Sequence, residues 1–246
     1  MPSFFITGTD TGVGKTAITA GLTAILRAQG IDAVPMKPVQ TGGIPAGDSI
    51  LSEDVQFYQQ VTTLPVTHSE MNPCCLVPAL SPNVAARLSG TTIDLDQIED
   101  AYRRLAAHHQ VVLVEGAGGI CVPLQDNLTF ADLAKRLNLT LLVVARPGLG
   151  TINHTVLTVR YAQQCGLAIT GIIIKGYCEE TATMAEKTNP EVIHALTGIP
   201  ILGIVPWISG LNVESGNTGN LMEVIGSSVK WQALIEHSSQ VKASGN

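Results

Sequence analysis

The 246-residue sequence is poor in charge and in aromatic rings: Asp, Glu, Lys and Arg together make 14% and Phe, Trp and Tyr 4%. No basic tract interrupts a formal net charge of −6, which argues against nucleic acid and anionic membrane as partners. The five cysteines, Cys74, Cys75, Cys121, Cys165 and Cys178, form no C-x-x-C pair. Neither a zinc site nor a disulfide framework is indicated, and the expectation is reduced thiols in a cytoplasmic protein. No apolar run reaches the length of a membrane-spanning helix. The N-terminus lacks the basic start and apolar core of a signal peptide, so the sequons at Asn127, Asn138 and Asn153 carry no weight. What is present is 45% apolar residues, mostly Val, Ile, Leu and Ala, with 24 glycines. That mixture suits a buried parallel sheet covered by helices.

Apolar strands alternate with amphipathic helices. The pattern predicts strands over 4–7, 33–37, 111–115, 139–145, 168–175 and 199–206, and helices over about 15–29, 95–108, 130–137 and 152–165. Such spacing implies βαβ units. Residues 38–92, rich in Pro, Ser, Thr and Gly, read as a loop-bearing insertion over the strand ends. Residues 1–237 are expected to form one domain and 238–246 a loose tail.

The stretch GTDTGVGKT, Gly8 to Thr16, joins the first strand to the first helix. The usual phosphate loop, G-x-x-x-x-G-K-[ST], would place a glycine at position 9, where this chain has Thr9. The extra residue matters little, because only Gly12 and Gly14 must let phosphate approach the backbone. The strand before and the helix after give the motif its required context. Backbone N–H groups of Gly12, Val13, Gly14, Lys15, Thr16 and Ala17 can face phosphate oxygens, aided by the helix N-terminus. Lys15 can neutralise the outer phosphates, and Thr16 places a hydroxyl where Mg²⁺ would sit. The predicted fold class is therefore α/β, a P-loop NTPase-type mostly parallel sheet with helices on both faces. Asp10 stands where partition and division-site ATPases carry a second lysine. The only candidate for a GTPase base reader, IIIKGY, has Lys175 but no Asp at position 177.

In VVLVEGAGG, four apolar residues deliver Glu115 to the C-terminal end of a strand, where ligands bind in open α/β sheets. An acid there is costly unless paired, so it reads as a magnesium carboxylate with glycines leaving room beside it. In MKPVQTGG, Lys37 ends the second strand. It reads equally as a holder of a transferred phosphoryl or carboxylate group and as a snorkelling surface lysine. Asp54, in SEDVQF, reads locally as a helix N-terminal charge that could also reach the metal.

Taken together, GTDTGVGKT, KPVQTG, EGAGG, TFADLA, TINH and GIVPW resemble dethiobiotin synthetases, over nearly the whole chain from Phe5 to about Trp207. The resemblance implies an ATP-dependent cyclo-ligase of biotin biosynthesis. Such enzymes close a ureido ring on 7,8-diaminopelargonate with CO2, through a carbamate and a carbamic–phosphoric anhydride. It implies Lys37 and Lys15 as catalytic cations, and Mg²⁺ on Thr16, Asp54 and Glu115. Gly116, Ala117 and Gly118 would line the ATP phosphates, with Lys175, Gly176, Ile204, Val205 and Pro206 around the base. Thr11, Lys37, Thr41 and Gly118 would hold the amine or carbamate. Family members are homodimers with substrate at the subunit interface, so Gly150, Thr151 and Asn153 of a second copy would hold the distal carboxylate. Three positions differ from relatives: Thr41 for a frequent Ser, Gly12 for a bulkier residue, and Lys175 for an Asn that reads adenine. Lysine has donors and no acceptor, so relaxed base choice is expected. The competing class, a nucleotide switch or metallochaperone, would show a switch Asp, a His/Cys tract or the second loop lysine, and none is present. A cobyrinate-type amidotransferase would need a glutaminase domain for which the sequence has no room.

Overall fold

The computed structural model describes residues 3–235; the reading of 238–246 as a loose tail lies outside them. Strand β1 (Phe4–Gly8) is followed by helix α1 (Lys15–Ala28) and β2 (Ala33–Met36). The insertion then holds β3 (Val39–Thr41), β4 (Ile44–Ala46), β5 (Ser49–Leu51), α2 (Glu53–Val61), α3 (His68–Met71), β6 (Cys74–Leu76) and α4 (Pro82–Leu88). The alternation resumes with α5 (Leu95–His108), β7 (Val111–Gly119), α6 (Phe130–Arg136), β8 (Thr140–Ala145), α7 (Thr151–Gln164), β9 (Ile169–Tyr177), α8 (Met184–Thr197), β10 (Ile201–Pro206) and α9 (Leu221–Ser228).

The main sheet has six strands in the order β10-β9-β8-β1-β7-β2, and every pairing is parallel. β1 is buried throughout, as a central strand covered on both sides must be. Its period of two divides the core. Phe4 and Ile6 pack with Ile18, Leu22 and Leu26 of α1, Phe57 of α2 and Ile225 of α9. Phe5 points the other way, toward Ile98 and Leu105 of α5 and Leu133 of α6. A third cluster joins Val143 and Ile174 to Val159 of α7 and Ile193 of α8. Each such fully buried side chain contributes about 1.5–3 kcal/mol relative to exposure.

Among the described residues, no helix is long and apolar enough to cross a membrane. The predicted strands and long helices match to within two residues, except that β7 runs four residues beyond the expected end at Glu115, to Gly119. The insertion is more ordered than a loop reading implies, with three helices and four short strands. Helix α8 begins at a capping box of Thr183 and Glu186. Pro190 inside it hides the helix from pattern reading, because proline removes a helical hydrogen bond.

At one sheet edge, β10 receives the segment after α9: Gly203 bridges Val229 antiparallel, and the Lys230 N–H donates to Leu202 O at 2.7 Å. The Val229 Cα lies 3.0 Å from where a Cβ on Gly203 would stand.

Candidate active site

Helices α1 and α7 begin at left-handed glycines, Gly14 (φ 95°) and Gly150 (φ 87°), with no side-chain cap. In contrast, Ser52, Asp94, Thr129 and Thr183 cap α2, α5, α6 and α8 through their side chains. Uncapped N-terminal amides leave donors for an anion. The α1 end opens into a cleft of about 860 Å³ lined by Thr11, Gly12, Lys15, Thr16, Lys37, Thr41, Asp54, Glu115 and Gly118, among others.

Three elements distant in sequence meet there. The Thr16 hydroxyl stands 3.0 Å from Asp54 Oδ1 and 2.9 Å from Glu115 Oε1. Having one hydrogen, it donates to one of them at a time. Lys37 Nζ lies 2.6 Å from Asp54 Oδ2 and 2.8 Å from Glu115 Oε1. Tyr58 completes the set, its hydroxyl donating to Glu115 Oε2 at 2.6 Å. Glu115 is fully buried and Lys37 nearly so, at 0% and 4% exposure. This decides between the two readings of Lys37: it is a buried, doubly paired cation and no surface lysine. Asp54 is both things its sequence allowed, a first-turn acid of α2 and a partner of Thr16 and Lys37.

The backbone holds these groups in place. The Lys37 N–H donates to Met71 O at 2.8 Å, and Asn72 Nδ2 donates to Lys37 O at 2.7 Å. Ser52 Oγ caps α2 by accepting from the Val55 N–H at 3.2 Å and donates to Gln40 Oε1 at 3.0 Å, tying the Asp54 helix to the strand leading to Thr41.

The electrostatics follow from burial and neighbours. Burial pulls the Lys37 ammonium down, but Asp54 and Glu115 outweigh it and hold the pKa above the ordinary value. Burial lowers the Asp54 acidity, and the Lys37 charge reverses that, leaving its pKa below the usual carboxylate range. Lys15 goes the other way: burial, and then repulsion from Lys37, lower it to about 8. Its Nζ donates to Asp10 O at 3.1 Å, arched back over its own loop. Burial, then Glu115 and Asp54, raise the Tyr58 phenol well above its normal value, so it remains a donor.

The donor set of one hydroxyl and two carboxylates is hard oxygen and suits Mg²⁺, which keeps several waters and binds through one or two carboxylates plus phosphates. Among the described residues there is no group of three His, Cys, Asp or Glu placed to hold a metal.

Lys175 and Gly176 precede Tyr177 at the end of β9, with Val205 beside Lys175 and Pro206 beside Tyr177 across the β9–β10 ladder. Ile204, Val205 and Pro206 thus lie on the edge strand beside the end of β9, outside the cleft lining. The Lys175 stem lies over Gly14: a Cβ on Gly14 would collide with Lys175 Cδ and stand 2.9 Å from Cε. The Val13 side chain belongs to the core, and Gly116 presents its carbonyl to Lys37 Nζ at 3.4 Å. Gly150, Thr151 and Asn153 do not line the cleft of their own chain. The Thr151 N–H donates to Gly148 O at 3.2 Å, and its hydroxyl is buried 3.4 Å from that of Thr155. Sequence reasoning missed Tyr58, Gln40 and Ser52. The S-E-D start of α2 signals the cap, but nothing local signals a tyrosine reaching a carboxylate 57 residues on.

A family model described as an AAA domain matches residues 2–215. The ATP-dependent dethiobiotin synthetase BioD of Bacillus licheniformis is 40% identical over 206 residues, covering 84% of this chain and 86% of that protein. The protein of the same name from an Anaeromyxobacter species is 46% identical over 198 residues, covering 80% and 86%. Among solved structures, the MinC:MinD cell division complex of Aquifex aeolicus aligns with a TM-score of 0.60, 15% identity and 96% coverage of both chains. A ParA family ATPase from Chlorobium tepidum gives 0.55, with 15% identity and 96% and 98% coverage. At that identity the solved structures speak for the P-loop fold alone.

Proposed function

The chain belongs to the family of ATP-dependent dethiobiotin synthetases, and from that premise we propose a role for each group in the cleft. The activity is that of a ligase of biotin biosynthesis, which closes the ureido ring of dethiobiotin from 7,8-diaminopelargonate and CO2 with ATP. The observation that carries the assignment of roles is the convergence of Thr16, Lys37, Asp54 and Glu115 within hydrogen-bond distance beside the phosphate loop.

The 7-amino nitrogen forms a bond to CO2 and loses a proton, giving a carbamate. A carbamate oxygen then attacks the γ-phosphorus and the bond to the ADP oxygen breaks. The 8-amino nitrogen attacks the anhydride carbon, and phosphate departs with the carbamate oxygen it carried. Two anions must meet in the second step, so the chain's work is positioning and charge stabilisation. Lys15 and the amides of α1 hold the outer phosphates. Lys37, fixed between two carboxylates, faces both the transferred group and the carbamate. Thr11, Thr41 and Gly118 position the amine. Thr16, Asp54 and Glu115 hold Mg²⁺, which when bound neutralises phosphate charge. Tyr58 fixes the orientation of Glu115.

The distal carboxylate is held by the α7 start of a second copy. With the Thr151 amide engaged, this task falls to the Ile152 and Asn153 amides and the Asn153 side chain. Supporting a homodimer are apolar side chains exposed on the packed pair α7 and α8 and on the turn before α7: Leu149 is 83%, Leu157 60% and Met184 76% exposed. Residues 1–237 act as one unit, and the five unpaired cysteines fit a reducing, cytoplasmic setting.

The test is incubation with 7,8-diaminopelargonate, bicarbonate and ATP–Mg²⁺. The expected product has the mass of the diamine plus CO2 less water, with one phosphate released per ring. ATP consumption without ring product would overturn the assignment.

A further inference from the structure

Three lysines surround the phosphate loop, and two are satisfied. Lys15 donates to Asp10 O and Lys37 to two carboxylates. Lys175 makes neither a hydrogen bond nor an ion pair among the described residues. It is half-buried, and its Nζ lies 3.2 Å from the position of a Cβ on Gly14. Its ammonium therefore sits beside the last loop glycine and the uncapped start of α1, which carries a positive partial charge of its own. A partly desolvated cation with no acceptor, set against like charge, is unfavourable until an anion arrives. Burial accordingly lowers its pKa. Gly14 is required for this placement, because any side chain there would occupy the volume of the Lys175 stem.

We propose that Lys175 is a phosphate-binding cation, which clamps the phosphate chain of the nucleotide onto the loop and does not read the base. The proposal rests on the cleft being a nucleotide site and deepens that reading. It supplies from β9 a second positive charge at the loop, where position 10 of the loop itself carries an aspartate. The ligand class is an oligophosphate, with or without a nucleoside attached.

Inorganic tripolyphosphate, which has no base or sugar, isolates the effect. Its binding, with Mg²⁺ present, is measured by titration calorimetry on the full chain and on Lys175→Met, Lys175→Arg and Lys175→Asn. A lost charge-assisted contact predicts affinity about tenfold weaker in Lys175→Met, with Lys175→Arg close to wild type. The salt dependence of binding should also be shallower in Lys175→Met. The ratio of ATP to CTP affinity should be the same in wild type and Lys175→Met. Unchanged tripolyphosphate affinity in Lys175→Met overturns the proposal, and if the ATP-to-CTP ratio shifts as well, the lysine reads the base. If Lys175→Met does not fold, Lys175→Asn keeps the comparison, with the same loss of tripolyphosphate affinity expected. Tripolyphosphate binding that weakens in Lys175→Met, in a protein whose wild type makes no ring product, would leave this inference standing and sink the proposed reaction. Ring synthesis with lysine-independent phosphate binding would do the reverse.

Discussion

Lys15 and Lys37 show how two like charges in one cleft are assigned different states. Lys37 has two carboxylates and stays charged, whereas Lys15 has only a carbonyl and more distant acids, and its pKa falls to about 8. Triphosphate favours the charged form. Nucleotide affinity should therefore fall as pH rises through about 8, by up to about tenfold per unit above it, and binding there should take up a proton. Calorimetry in two buffers of different ionisation enthalpy checks both, and a flat affinity with no proton uptake would refute the assignment. For Lys37→Met the expectation concerns stability as much as rate. Removing the ammonium leaves the buried Glu115 and the part-buried Asp54 without their cation, a loss of about 3–5 kcal/mol. Thermal unfolding should show a lower Tm that Mg²⁺ partly restores. An unchanged Tm would mean that the carboxylates do not depend on the lysine. Nucleotide affinity should change less than turnover. At this scale the sequence was informative where chemistry and spacing coincide, as in Gly14-Lys15-Thr16 and in Glu115 at a strand end. It was silent on Tyr58, because the Tyr58–Glu115 bond exists only once α2 has folded across β7.

The elements that carry function are held by modest local devices. Asp54 reaches the site because α2 starts at Ser52, and Ser52 also bonds Gln40. Ser52→Ala should cost about 1 kcal/mol through the cap, read as a lower Tm, and should raise the Mg²⁺ concentration needed for half-maximal nucleotide binding. A normal Tm with normal Mg²⁺ dependence would show that α2 is positioned by its core face alone. Helix α5 was legible to the residue, since Leu95, Ile98, Ala101 and Leu105 are buried at helical spacing. In the insertion, α2 places Phe57 and Tyr58 side by side in the core, which no single-face pattern would show. Its helices are also short, so packing rather than propensity decides them.

Across the whole molecule, the sequence indicated parallel βαβ units but not the order β10-β9-β8-β1-β7-β2, because crossovers of similar length allow several neighbours. The proposed assembly has a direct test. Sedimentation should give twice the 25.9 kDa chain mass. Lys15→Gln and Asn153→Asp, each inactive alone, should complement when mixed and re-equilibrated. Random pairing leaves about one site in four with both halves intact, as expected for a twofold interface. A monomer with full activity, or the absence of complementation, would contradict shared sites.

The bridge between Gly203 and Val229 also bears on solubility. An edge strand offers unpaired N–H and C=O groups to any extended segment that meets it. Here the chain closes that edge itself, and it can lie so close because Gly203 has no side chain. Gly203→Val would push the closing segment away and bare β10, turning a capped border into a template for strand addition between molecules. The resulting defect would be aggregation during expression and concentration, with the cleft on the far strands still formed in whatever protein remains dispersed.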